Sequence, residues 1–148
     1  MSSAPDSDLD ARLAALEPPY KSRGEAQVGR LLDRYGIPFF YEQPLVILDS
    51  GRHRTWHPDY TLPTYGNMIV EYAGMPDVPE YVQGIRHKQQ VYTANGIPAM
   101  FVYPQDLTGP AWPERLYDRI RETGEAAIRP RSRRVYSNPS GIPSTGGE

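Results

Sequence analysis

The chain is 148 residues long, with 18 acidic residues, 16 lysines and arginines, and no cysteine. That length suits a single domain with a modest core, and the lack of cysteine excludes disulfides, zinc thiolates and thiol nucleophiles. The formal net charge of -2 lacks the basic surplus typical of a protein that binds DNA tightly without regard to sequence.

The two ends of the chain differ in composition from its middle. Residues 1–19 are polar and end in Pro18-Pro19, which predicts a flexible lead-in, with a short helix over residues 10–17 as an alternative. This segment has no signal-peptide core, and no apolar run approaches the roughly 20 residues of a membrane span, so we expect a cytoplasmic protein with no membrane partner. Residues 129–148 begin with RPRSRR and become rich in Pro, Ser and Gly, which predicts a basic, disordered tail.

The residues between these ends, 20–128, predict one mixed α/β domain. Helical spacing of apolar residues and a closing Gly36 predict a first helix, and the turn Asp49-Ser50-Gly51 predicts an antiparallel hairpin. A strand, a crossover helix and a further strand predict parallel pairing of 68–73 with 99–103. The predicted elements are a helix over 22–35, strands over 39–48 and 52–62, a loop over 63–67, a strand over 68–73, a helix over 79–95, a strand over 99–103 and a helix over 113–123.

Glu71 lies inside the apolar run Met68–Ala73, where strand alternation puts it on the same face as Ile69 and Ala73. Burying an unpaired carboxylate is costly, so an acid in this setting needs a cation, a hydrogen-bond network or a metal. The alternative to a metal is an ion pair with an arginine such as Arg54.

Asp59 follows Pro58 near the end of the preceding predicted strand. Two acids close together repel each other unless a divalent cation lies between them, and carboxylate oxygens are ligands that Mg²⁺ prefers. Asp59 and Glu71 therefore predict a Mg²⁺ site, while an ordinary turn acid after a proline is the alternative for Asp59.

Lys88 lies on one face of the second predicted helix with Tyr81, Ile85 and Tyr92, because the steps between them are 4, 3 and 4 residues. A lysine on an apolar stripe directs its ammonium group towards the sheet, where it could stabilise an attacking hydroxide or a phosphate. The alternative is a lysine whose stem packs on the protein while its charge reaches solvent.

Four further candidates have weaker support. Glu25 belongs to the apolar face of the first helix but also fits a capping box with Ser22. Gln43 on the first strand could bond a metal-bound water, although an ordinary strand glutamine is the simpler interpretation. His57 is the histidine that could border the site, and Tyr92 is a further accessory candidate.

The arginines of the tail are candidate phosphate contacts that would add affinity without specificity. A solvated tail that happens to be basic is the alternative. These residues are Arg129, Arg131, Arg133 and Arg134.

In order and spacing, the chain resembles the PD-(D/E)XK nuclease superfamily, whose restriction-endonuclease-like fold includes restriction enzymes, Holliday-junction resolvases and very-short-patch repair endonucleases. The resemblance spans about residues 20–107. The segments that match are the helix acid Glu25, Pro58-Asp59, Ile69-Val70-Glu71-Tyr72, Lys88-Gln89-Gln90-Val91-Tyr92 and the strand from Ala99 to Tyr103.

This resemblance implies a central mixed β-sheet of about four strands flanked by helices, and a Mg²⁺-dependent endonuclease that hydrolyses DNA phosphodiester bonds. It implies that Glu25, Asp59 and Glu71 hold the metal, that Mn²⁺ can substitute for Mg²⁺, and that Lys88 helps to activate water. DNA is the implied partner, and a homodimer is the arrangement by which many endonucleases of this fold cut both strands.

One position departs from the family pattern. The family's lysine lies two residues after the second acid, where this chain has Ala73. Some members carry that lysine on the following helix, and Lys88 lies there. If Lys88 does not reach the site, the alternative is a catalytically inactive nuclease-like module that binds nucleic acid or a protein partner.

Overall fold

The computed structural model describes residues 17–130, and the elements below are those of this range. They are α1 (Arg23–Arg34), β1 (Phe40–Tyr41), β2 (Leu45–Asp49), β3 (Arg52–Trp56), β4 (Tyr60–Leu62), β5 (Met68–Tyr72), α2 (Pro79–Ala94), β6 (Ala99–Val102) and α3 (Trp112–Ala127). Short 3-10 turns cover Pro63–Tyr65 and Pro104–Leu107. None of the described helices has the length and apolar character needed to cross a bilayer.

The central sheet has the strand order β1-β4-β5-β6. Strand β5 pairs antiparallel with β4 and parallel with β6, with Ile69 opposite Ala99. Three helices accompany this four-stranded mixed sheet in the described range. The predicted mixed α/β class and the predicted parallel pairing across the crossover helix are therefore confirmed.

The two long strands predicted over 39–48 and 52–62 are wrong as continuous strands. The first divides into β1 and β2, and the second into β3 and β4, so that β2 and β3 form a separate two-stranded sheet. The breaks fall at Pro44 and Pro58, which have no backbone N–H to offer a strand neighbour, and Glu42 has a positive φ of 56°. As a result the chain turns a corner at Asp59 just before it enters the central sheet.

Strand β5 is buried on both faces, as its sequence predicts. Met68 and Val70 belong to a core cluster that also contains residues of α1 and α3. Ile69 and Ala73 belong to a second cluster, formed with α2 and β6. Glu71 shares the face of this second cluster, so helix α2 lies over the side of the sheet on which the predicted acid projects.

Candidate functional site

Asp59 and Glu71 meet at the carboxyl end of β5. The register of β4 on β5 pairs Tyr60 with Val70, which puts Asp59 opposite Glu71. Residues opposite each other in an antiparallel pair have their side chains on the same face. The backbone N–H of Asp59 donates to Oε1 of Glu71 at 3.3 Å. Two acids that are separated in sequence are thus neighbours in the fold.

Glu71 is 3% exposed, and its second oxygen has two partners from helix α2. The hydroxyl of Tyr92 donates to Oε2 at 2.5 Å, and Nζ of Lys88 lies 3.6 Å from the same atom. Arg54, the alternative partner, instead pairs with Asp49, with Nε 3.6 Å from Oδ2. The cation beside Glu71 is therefore the lysine of the helix stripe.

The carboxyl of Asp59 is electrostatically perturbed. Burial, and then repulsion from Glu71, raises the pKa of the Asp59 carboxyl to about 7, against the opposing effects of a hydrogen bond from the backbone N–H of Tyr72 and the charge of Lys88. That N–H donates to Oδ2 at 2.7 Å. A carboxyl with such a pKa is only partly ionised near neutral pH. A nearby positive charge would lower this pKa and favour the ionised form.

This pKa predicts a fall in stability as pH rises. The carboxyl of an unfolded aspartate has a pKa of about 3.9, so between about pH 4 and pH 7 the folded chain holds a proton that the unfolded chain has lost. The stabilisation is complete below pH 4 and is lost as pH rises through 7. We expect the Asp59 carboxyl to lower the free energy of unfolding by an amount on the order of 2–4 kcal/mol as the pH rises across this range, as measured by urea titration in EDTA.

The matched variant is Asp59→Asn, whose side-chain oxygen still accepts from the Tyr72 N–H. It should show a flatter dependence of unfolding free energy on pH and should be more stable than the natural chain at about pH 8. Equal slopes for the two proteins would show that Asp59 titrates as an ordinary surface acid.

Glu25 approaches the acids from the start of α1. Only half of the predicted capping box forms, because Oγ of Ser22 accepts from the N–H of Glu25 while the Glu25 carboxylate takes a different partner. That partner is Tyr41, whose hydroxyl donates to Oε1 at 2.5 Å. Glu25 is 8% exposed and contributes to the raised pKa of Asp59.

The three acids do not converge as a set of metal ligands. Within residues 17–130, no three His, Asp or Glu side chains lie together closely enough to hold one metal ion. Asp59 and Glu71 are adjacent, and the Glu25 carboxylate accepts a hydrogen bond from the Tyr41 hydroxyl. The donor chemistry of the adjacent pair, with carboxylate oxygens that repel each other despite Lys88 beside them, fits a divalent cation.

The remaining candidates have different positions. Gln43 is exposed in the link between β1 and β2. Its predicted position on a strand is wrong, because the predicted strand breaks next to it at Pro44, which has no backbone N–H to donate. His57 is exposed and, with Trp56, Glu71 and Lys88, lines a cavity of about 270 Å³. We call this the Lys88 cavity.

Of the four tail arginines, only Arg129 falls within the described range, where it is exposed after the end of α3. Arg131, Arg133 and Arg134 lie outside the described residues, as does most of the predicted N-terminal segment. The predicted phosphate contacts of the tail stay a prediction.

Sequence reasoning missed two aromatic residues of this region. Tyr41 holds the Glu25 carboxylate, and Trp56 lines the Lys88 cavity and packs edge-on against Tyr92 with ring centroids 5.4 Å apart. Neither has a local pattern that marks it, because each meets its partner through a contact between segments distant in sequence.

No protein-family model, curated protein or solved structure matches the chain. The functional assignment therefore depends on the chemistry of the site. A buried acid pair with a lysine beside it can hold a cation and can place a second positive charge next to a bound anion.

Proposed function

We propose that the chain is a divalent-cation-dependent endonuclease that hydrolyses phosphodiester bonds of DNA. The observation that carries the proposal is the meeting of Asp59, Glu71 and Lys88 in one partly buried site, with Nζ of Lys88 3.6 Å from Glu71. Two carboxylates can hold the cation for metal-assisted phosphodiester hydrolysis, and an ammonium group can stabilise the charge that develops on the phosphate.

In this proposal Asp59 and Glu71 hold Mg²⁺, or Mn²⁺ in its place. When bound, such a cation polarises a phosphoryl oxygen and lowers the pKa of water. The protein's contribution is to keep the two carboxylates adjacent, through the Asp59 N–H on Glu71 and the Tyr72 N–H on Asp59. Because these bonds come from the backbone of two paired strands, they fix the acids before any ligand arrives.

Lys88 supplies the positive charge that remains in the site during the reaction. Hydrolysis adds one water to phosphorus and breaks one P–O bond, giving a phosphate monoester and a hydroxyl. Negative charge grows on the phosphoryl oxygens and on the leaving oxygen, and an ammonium group beside them stabilises it. Lys88 is half-exposed on the wall of its cavity, so its charge is accessible to a substrate.

The position of Lys88 supports the resemblance to the PD-(D/E)XK superfamily. Ala73 takes the place of the family's lysine and is fully buried in the cluster beneath α2. Lys88 reaches Glu71 from α2, on the same side of the sheet. In this proposal Lys88, on the helix, acts beside Glu71 in the role of the family's lysine, which lies on the strand two residues after the second acid.

A second candidate function is the inactive module that binds without cutting. The observation that favours it is the saturation of Glu71, since Oε1 accepts from Asp59 and Oε2 from Tyr92, with Lys88 beside it. A carboxylate with such partners can stabilise the fold without binding a metal ion. The two functions differ in whether added cations lead to cleavage.

The test is incubation of the full chain with supercoiled plasmid, branched DNA and single-stranded DNA in Mg²⁺, Mn²⁺ or EDTA. Nicks or shorter products with either cation, absent in EDTA and absent from a Glu71→Gln preparation purified in parallel, would support the nuclease. Binding to these DNAs without cleavage under any cation would favour the inactive module.

A further inference from the structure

A second cavity lies beyond the acid pair, and the proposed reaction leaves its role open. It measures about 410 Å³, and the lining residues that matter here are Arg23, Glu25, Tyr72, Gly74, Met75 and Tyr81. We call it the Tyr72 cavity. Glu25 lines it, and the backbone N–H of Tyr72, another lining residue, donates to Asp59 at 2.7 Å, so the cavity lies next to Asp59, whereas Glu71 lines the Lys88 cavity.

We propose that the Tyr72 cavity binds an unpaired nucleotide next to the bond that is cut, so that the substrate is a single-stranded or locally unpaired nucleic acid. This inference rests on the proposed nuclease function and names its substrate class. The Lys88 cavity would bind the part of the nucleic-acid strand on the other side of the scissile phosphate.

The walls of the Tyr72 cavity suit a nucleobase. Tyr72 and Tyr81 are half-buried in the lining of the cavity, and Met75, which also lines it, is 51% exposed. A tyrosine ring binds a base through its face, and this contact tolerates any base because every base has a π face. Bases inside a continuous duplex are already stacked on their neighbours and cannot present a face to a protein ring.

Two glycines allow the ring of Tyr72 to pack directly against the backbone at the wall of the cavity. A Cβ on Gly24 would fall 2.0 Å from the Tyr72 ring, and one on Gly74 would fall 3.0 Å from it. The hydroxyl of Tyr81 accepts from the N–H of Gly74 at 3.0 Å. Because the Tyr72 ring packs against Gly24 and Gly74, and Tyr81 is hydrogen-bonded to Gly74, the aromatic wall has a fixed shape.

Arg23 supplies a cation for the phosphate of that nucleotide. It is exposed at the edge of the cavity and has no ion-pair partner among residues 17–130, whereas Lys21 nearby pairs with Glu42. The same range contains more acidic than basic residues. Duplex binding depends on many phosphate contacts, so this surface favours a mode in which stacking supplies much of the affinity.

The experiment measures binding separately from cleavage. A fluorescent single-stranded DNA of about 12 nucleotides, and the same sequence as a duplex, are titrated with the full chain in EDTA while anisotropy is recorded. The variants are Tyr72→Leu and Arg23→Gln. Their matched controls are Tyr117→Leu, a half-buried tyrosine remote from the acids on α3, and Arg34→Gln at the other end of α1.

We expect the natural chain to bind the single strand more tightly than the duplex. Tyr72→Leu should weaken single-strand binding roughly tenfold, the scale of one lost base stack, while Tyr117→Leu leaves it unchanged. Arg23→Gln should weaken binding and reduce the slope of log affinity against log salt by about 0.7, the value for one phosphate contact on a single strand. Arg34→Gln should not change that slope.

Equal or tighter binding of the duplex would overturn the inference, as would Tyr72→Leu and Arg23→Gln behaving like their controls. If Tyr72→Leu does not fold, as judged by circular dichroism, Arg23→Gln still decides the outcome because its side chain is exposed. Cleavage assays on the same preparations keep the two proposals distinct. If the natural chain cleaves DNA but Tyr72→Leu and Arg23→Gln bind the single strand as their controls do, the chain is a nuclease without this subsite. If both variants lose single-strand binding as expected but the natural chain does not cleave, the subsite exists without the nuclease.

Discussion

Replacing Glu71 with glutamine is expected to lower metal-dependent cleavage by about three orders of magnitude or more, while the protein stays folded. The carboxylate would be lost as a cation ligand, and losses of this scale follow removal of one group that stabilises a transition state. The amide oxygen can still accept from the Asp59 N–H, and the Tyr92 hydroxyl can accept where it formerly donated. Initial rates of plasmid nicking measure the effect.

Alanine at the same position should behave differently in stability. Glu71→Ala leaves the Tyr92 hydroxyl and the Asp59 N–H buried without their acceptor, at a cost of about 1–3 kcal/mol for each group. Relief of the repulsion with Asp59 offsets part of this. The free energy of unfolding should therefore be lower for Glu71→Ala than for Glu71→Gln.

The control is Glu122→Gln, an exposed acid on α3. It should leave both cleavage and stability unchanged. Cleavage by Glu71→Gln at a rate within a few-fold of the natural chain would remove Glu71 from the reaction.

Replacing Lys88 with methionine is expected to lower cleavage by about two orders of magnitude with cation binding retained. Methionine keeps most of the packing of the lysine stem and removes its charge. The loss of that charge should also raise the pKa of Asp59 further, since Lys88 at present lowers it. The rate profile against pH should therefore shift to higher pH, which a purely structural role for Lys88 would not produce.

Two further variants define the role of the charge. Arg86→Met removes an exposed cation from the same helix and should leave the rate unchanged. Ala73→Lys combined with Lys88→Met should recover part of the activity, because position 73 faces the same cluster as Glu71. Ala73 is fully buried, so this double variant should be less stable than the natural chain. Full activity in Lys88→Met would contradict the assignment.

Periodic patterns in the sequence predicted the parts of the site that depend on local geometry. The alternation around Glu71 predicted its burial on the face of Ile69 and Ala73, and the helix stripe predicted that Lys88 points towards the sheet. Both features follow from the repeat of one strand or one helix. They required no knowledge of how distant segments meet.

Contacts between distant segments were not predictable in the same way. The bonds from Tyr41 to Glu25 and from Tyr92 to Glu71 depend on how α1, β1 and α2 come together, and a tyrosine gives no sequence signal of its hydroxyl's partner. These bonds also change the expected behaviour of variants. Repulsion between the two acids would by itself make loss of either carboxylate neutral or stabilising, but the partners of Glu71 make its alanine variant costly.

The divided hairpin was signalled but not predicted. Pro44 and Pro58 each lie in a run that otherwise has strand composition, and a proline inside a strand indicates a break or an edge. The consequence for function, that Asp59 comes to lie opposite Glu71, required the pairing register of β4 and β5.

The central claim is that Asp59 and Glu71 form a cation site, and calorimetric titration with Mn²⁺ at about pH 7 tests it without any choice of nucleic-acid substrate. Because the pKa of Asp59 is about 7, cation binding should release roughly half a proton, seen as a dependence of the measured enthalpy on the buffer. We expect saturable binding with proton release in the natural chain, and neither in Asp59→Asn nor in Glu71→Gln. Absence of binding, or equal binding in all three proteins, would contradict the claim.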